Sequence, residues 1–177
     1  MLTREGTMLV VIDIQGNLYR AMDDKAFLLA NNQKLIRGAV TFDIPVLLTE
    51  QNNIGPTIPE IGELLPNVTP ITKDSFSCLG EAGFVEALKA GTPRRIIVSG
   101  IEAHVCVYQT ALDLMRLGYE VYLAADAVSS RTAQNREIAV RRLTNTGAVL
   151  MSTEMILFEL LKTARDPVAR EIFRMVK

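Results

Sequence analysis

Two spacings of apolar residues alternate along the chain. Unbroken runs of strand length, rich in β-branched residues, occur at 8–14 (MLVVIDI), 45–49 (PVLLT) and 95–99 (RIIVS), with a shorter one at 70–72. A run with no polar face predicts a strand buried on both sides. Between these runs the spacing widens to that of helices. Over 26–42, Phe27, Ala30, Leu35 and Val40 predict a buried helical stripe, and 81–90, 104–117 and 132–146 predict three further helices. Strands at 120–125 and 148–151 separate the later ones, and helical segments follow at 153–161 and after Pro167.

A strand that passes through a helix into the next strand makes a right-handed crossover. The alternation therefore predicts an α/β protein, a three-layer α/β/α sandwich around a mostly parallel, doubly wound sheet of Rossmann-like topology. No repeat or linker divides the 177 residues, so a single domain over 1–177 is expected. The Pro- and Gly-punctuated stretch 52–70 reads as a surface excursion.

Composition narrows the partners. With 19 basic and 20 acidic residues the net charge is -1, which leaves no basic stripe for nucleic acid and no polybasic patch for a membrane. The N-terminal residues have neither a signal-peptide layout nor a membrane-length apolar run, and the expected setting is cytoplasmic. Two cysteines, Cys78 and Cys106, are too few for a disulfide framework, and no Cys/His spacing suits a zinc site. The expected partner is a small-molecule substrate or another subunit, and no residue pattern calls for a metal or a cofactor.

In a parallel sheet, ligands gather beyond the carboxyl ends of the strands. Three chemistry-bearing residues fall there: Asp13 inside the first apolar run, Lys73 directly after the third strand, and Cys106 six residues past Gly100. A carboxylate in such a run is expensive to bury without a cation, and Lys73 is a candidate for it. Read singly, Asp13 could equally cap a backbone N–H, Lys73 could be a solvated loop residue, and Cys106 a small buried apolar side chain. A thiol in the first turn of a helix, however, faces unpaired N–H groups that favour thiolate, and a nearby lysine acts in the same direction. His104, two residues from Cys106, would point elsewhere from a helix start. Gln51, Tyr19 and Tyr108 are candidate pocket residues.

The segment GIEAHVCV at 100–107 resembles the nucleophile segment of the isochorismatase-like hydrolases, and DAVSSR at 126–131 resembles their next strand-end motif. VIDIQ at 11–15, TEQ at 49–51, GPT at 55–57 and KDSFS at 73–77 follow the same order. The resemblance covers about residues 8–161 and is nearest the isochorismatase-domain-containing proteins whose substrates are poorly defined. It implies Asp13, Lys73 and Cys106 as an Asp-Lys-Cys triad and a homo-oligomer. It further implies a cis peptide at Ile101–Glu102 that aims backbone N–H groups, including that of Cys106, at an oxyanion.

The chain departs from parts of that pattern. Nicotinamidase members carry a metal-binding Asp and His after the second strand, where this chain reads TEQNNI and owns only His104. The cysteine that ether-cleaving isochorismatases can lack is present. The usual small or hydroxyl residue three places before the nucleophile is Ala103 here, and Glu102 puts a charge beside the implied cis bond, so both could alter substrate choice. The implied reaction is attack of Cys106 on an amide or related acyl carbonyl through a thioester, with Asp13 as base and acid and Lys73 stabilising charge. Ether hydrolysis, or a non-catalytic thiol-bearing or redox-sensing subunit, are the alternatives. A Gly-rich dinucleotide turn, a Walker sequence and a phosphatase arginine loop are all missing.

Overall fold

The computed structural model describes all 177 residues, Met1–Lys177. Its centre is a six-stranded, wholly parallel sheet in the order β3-β2-β1-β4-β5-β6. The strands are β1 (Thr7–Ile12), β2 (Val46–Gln51), β3 (Ile71–Lys73), β4 (Arg95–Gly100), β5 (Glu120–Val128) and β6 (Val149–Met151). Each residue of β1 is buried, because β1 has strands on both sides and helices on both faces.

Alternate residues of β1 feed two separate cores. Leu9 and Val11 pack with α2 (Lys25–Thr41), α7 (Thr153–Leu161) and α8 (Ala169–Val176). Met8, Val10 and Ile12 pack with α4 (Ala82–Gly91), α5 (Tyr108–Arg116) and α6 (Ala133–Thr146). This is the period of two that a strand imposes, and it builds the three layers expected from the alternation of elements. Thr132 and Ser152 start α6 and α7 by accepting the N–H groups of Asn135 and Met155.

Two readings of local pattern are corrected. On α2 the buried stripe is Leu28, Asn31, Asn32, Leu35, Ile36 and Ala39, whereas Phe27 and Val40 are exposed. The face is rotated because Asn32, fully buried, donates to Leu28 O and Ala127 O and so anchors α2 to the end of β5. A hydropathy pattern scores that asparagine as outward. The stretch 52–70 is also no mere surface excursion: it contains α3 (Pro59–Gly62), and Ile58, Ile61 and Leu65 join the core. A short α1 (Gly16–Arg20) follows β1.

The strand order reverses between β1 and β4, which share a long parallel register from Thr7–Arg95 to Ile12–Gly100. That reversal is where open α/β sheets bind ligands. Here the two strands part very closely: a Cβ on Gly100 would lie 2.2 Å from Ile12 O, and the residue has φ +127. Ile101 N then donates to Ile12 O at 3.0 Å, and Ser129 N donates to Gly100 O at 3.2 Å. Gly100→Ala is expected to lower stability by more than about 2 kcal/mol, since both the φ and the backbone contact are denied to alanine. Urea unfolding checks this, and a loss under about 0.5 kcal/mol, the range of an ordinary surface change, would contradict it.

Candidate active site

Three elements bring Asp13, Lys73 and Cys106 together at the reversal. Asp13 ends β1 with φ 55, a left-handed conformation that turns the chain out of the sheet, while its N–H stays bonded to Thr49 O at 3.2 Å. Lys73 is the last residue of β3, paired in register with Gln51 of β2. Cys106 lies in a π-helical turn, Ala103–Val107, that runs directly into α5. Widened turns of this kind often occur where a helix must present a functional side chain.

The pair at the centre is almost dry. Lys73 Nζ lies 2.7 Å from Asp13 Oδ2, with side chains 1% and 0% exposed. The ammonium also donates to Gln51 Oε1 at 2.7 Å and to the carbonyls of Ser75 and Phe76 at 3.2 and 3.3 Å. Four oxygens thus surround three protons, and Asp13 Oδ2 receives no well-aligned hydrogen bond. Oδ1 accepts from Thr49 Oγ1 at 2.8 Å. A buried ion pair of this kind is stabilised only when its remaining hydrogen bonds are met, and the loop after β3 meets those of the lysine.

Cys106 is 4% exposed and belongs to the second core. Burial pushes its thiol up to about 12, the charge of Asp13 pushes the same way, and Lys73 only partly opposes them. The thiolate expected from helix start and lysine is therefore corrected: at rest the group is a thiol. The position explains it. Lysine and carboxylate arrive together, so the sulfur faces a nearly neutral pair while paying the full desolvation of a charge.

The approach to Cys106 differs from expectation in its backbone. Every peptide is trans, including Ile101–Glu102, and the reversal is made instead by positive φ at Gly100 and at Glu102, φ 55. Ile101 is also not free to bind an oxyanion, because its only N–H is committed to Ile12 O. Ala103 N donates to Ser129 O and Val105 N to Glu102 O. Glu102, 7% exposed, is held by Arg131 at 3.2 Å, and that pair forms one wall beside the turn. His104 turns to this wall: Nδ1 is 3.0 Å from Ser130 Oγ and Nε2 3.9 Å from Glu102 Oε2.

The three candidate pocket residues separate. Gln51 touches the site, but through the lysine, and its amide donates to Asp74 O at 2.9 Å. Tyr19 lines a different cleft of about 450 Å3 with Arg20, Ile54 and Glu60, and donates to Lys25 O. Burial and the charge of Glu60 raise its phenol. Tyr108 is half-buried at the start of α5, packed on the second core. Two residues of the site were not singled out from sequence. Thr49 supports Asp13, and fully buried Gln15 accepts Gln51 N while donating to Gln51 O and Gly55 O. Their signal was present only as polar residues at apolar strand ends.

Both cysteines are free. No group of three or more His, Cys, Asp or Glu side chains gathers as a metal site, and no helix is long and apolar enough to cross a membrane.

A parallel sheet with a cysteine, a carboxylate and a lysine at its reversal is the layout of an open α/β protein with a polar site at its switch point. The isochorismatase domain matches residues 7–155, and the chain belongs to the isochorismatase family. The isochorismatase domain-containing protein 2 of Danio rerio is 35% identical over 177 residues, covering 99% of this chain and 89% of its own. Among solved structures, the MAR1 ribonuclease of Caenorhabditis elegans aligns with a TM-score of 0.93 at 30% identity, over 99% of this chain and 91% of that one. The YcaC gene product of Escherichia coli, an octameric hydrolase of unknown specificity, aligns with a TM-score of 0.93 at 25% identity, over 98% and 89%. Family membership makes the general activity a hydrolase.

The raised thiol has a measurable consequence. Alkylation of Cys106 by iodoacetamide, followed by intact mass, is expected to stay slow through neutral pH and to rise continuously above pH 9 toward about 12. Folding stability follows the same window with the opposite sign. The unfolded thiol ionises from 9.0 upward while the folded one resists, so this contribution is whole below 9 and is lost as pH climbs toward 12. A plateau of alkylation below pH 8 would contradict the account.

Proposed function

We propose that this chain is a cysteine hydrolase acting on a C–N bond of amide type, or a related acyl bond, of a small molecule. The observation that carries it is the buried Lys73–Asp13 contact of 2.7 Å beside a buried Cys106 thiol on which both charges act. The resting thiol suits this chemistry. A substrate carbonyl over the sulfur lets Asp13 Oδ2 accept the proton as the C–S bond forms, and Lys73 then offsets the charge that moves onto sulfur and the tetrahedral oxyanion. The N–H groups of Glu102 and Cys106 are the proposed oxyanion donors, each worth roughly 3 to 4 kcal/mol in comparable sites. Collapse breaks the C–N bond, and the proton on Asp13 passes to the departing nitrogen. The regenerated carboxylate then takes a proton from water, which attacks the thioester and frees the acid and the thiol.

No step requires a metal or an organic cofactor, and no donor set for a metal is gathered at the site. A redox-sensing subunit is less well supported, because sensor cysteines are exposed and acidic whereas Cys106 is buried and raised. The C. elegans relative is named a ribonuclease, but a net charge of -1 offers no phosphate-tracking surface, so a small-molecule substrate is proposed. A cytoplasmic setting accords with two unbridged thiols, and a homo-oligomer with the octameric relative.

The test is a screen of small amides together with p-nitrophenyl acetate, read by intact mass. A transient acyl adduct mapped to Cys106, abolished in Cys106→Ala, is expected. Full activity of Cys106→Ala on the best substrate, with an inactive Asp13→Ala, would overturn thioester chemistry, and the same result with a vinyl ether would replace it by ether hydrolysis.

A further inference from the structure

A line of buried polar groups reaches Asp13 at the oxygen that Lys73 does not face. It begins at a backbone N–H, which can only donate: Cys78 N donates to Thr110 Oγ1 at 3.0 Å. The Thr110 hydroxyl has one proton and directs it to Cys78 Sγ at 3.3 Å. The Cys78 thiol in turn is aimed at Thr49 Oγ1, 4.0 Å away, and the Thr49 hydroxyl donates to Asp13 Oδ1 at 2.8 Å. Cys78, Thr49, Thr110 and Asp13 are all fully buried. Because every hydroxyl or thiol in the line carries a single proton and its first donor cannot reverse, the direction of all the bonds is set.

The line also connects the two halves of the site. Thr110 lies four residues after Cys106 on the same helical run, and so one turn along from the nucleophile. Ser77 Oγ, next to Cys78, donates to Asp113 Oδ2 of α5 at 2.7 Å, which pins the loop after Lys73 to that helix.

Within the hydrolase reading above, on which this rests, we propose that Thr49, Cys78 and Thr110 are positioning residues for the base. They hold Asp13 Oδ1 permanently as an acceptor, so that Oδ2 alone takes the Cys106 proton, and they fix that carboxyl relative to the nucleophile helix. Cys78 is thereby a polar member of the site, and its own thiol is pushed up to about 11, chiefly by burial. It remains protonated and able to donate.

The groups that face Cys106 electrostatically are Asp13, Lys73 and Cys78, so its alkylation reports on the line. Iodoacetamide labelling of Cys106 is measured against pH, with peptide mapping, in wild type, Thr49→Val, Thr49→Ser and Cys78→Ala. Thr49→Val deprives Oδ1 of its donor, so the less stabilised carboxylate holds the proton of the pair more tightly; the labelling midpoint should rise by about one unit and labelling at pH 8 slow about tenfold. Thr49→Ser should restore the wild-type profile, and Cys78→Ala should move it the same way by about threefold, keeping the question decidable if Thr49→Val folds poorly.

Clearance of the acetyl adduct left by p-nitrophenyl acetate should slow about tenfold in Thr49→Val, because the base is no longer aligned for water. An unchanged or lowered midpoint, or a change in labelling that is equal at every pH and so reports only altered access, overturns the line. Failure of the wild type to be acetylated at Cys106 overturns the hydrolase reading instead, while the labelling midpoint still decides the line.

Discussion

The contact between Lys73 and Asp13 is the constraint on which the site depends. Two opposite charges with almost no water around them are stable only if each has further partners, and removing either alone costs about 3–5 kcal/mol in comparable proteins. The surroundings are arranged accordingly. Gln51 and the carbonyls of Ser75 and Phe76 complete the lysine, and Thr49 completes one oxygen of the aspartate. The other oxygen, Oδ2, faces the ammonium and has no well-aligned hydrogen bond. Apolar residues of similar volume would serve folding as well or better, so retention of the pair in a core otherwise built of Leu, Ile and Val points to chemistry.

The pair exists because of where the sheet reverses. Asp13 leaves β1, the turn to Cys106 leaves β4, and Lys73 approaches through β2 and β3. Gly100 allows β1 and β4 to stay close up to the point at which they part. The same strand order serves dinucleotide-binding proteins, where a Gly-rich turn receives phosphate at this position. Here the turn is Asp13-Ile14-Gln15-Gly16, and a carboxylate takes that place.

Much of this was legible in the sequence, for identifiable reasons. Continuous apolar runs such as MLVVIDI mark strands buried on both faces, so sheet and helices emerged to within one to three residues at most boundaries. Asp13, Lys73 and Cys106 stood out because charge or thiol at an apolar strand end needs an explanation. What escaped depended on contacts between distant segments. Asn32 turns the face of α2 inward by bonding Ala127, the stretch 52–70 buries Ile61, and Thr49 matters through the side chain it touches. The thiol was misjudged because helix start and lysine were weighed without the burial and the carboxylate that outweigh them.

In the proposed hydrolysis a thiol kept protonated until substrate arrives gives Asp13 two separable roles, taking the proton during attack and activating water afterwards. Asp13→Asn divides them. With the carboxylate gone, Lys73 faces the sulfur unopposed and favours thiolate, so an activated ester can still acylate it, but no base remains to release the product. The decisive measurement is intact mass of Asp13→Asn during reaction with p-nitrophenyl acetate. The account predicts a stable acetyl group on Cys106 with no turnover; release of that acetyl group at the wild-type rate would contradict it.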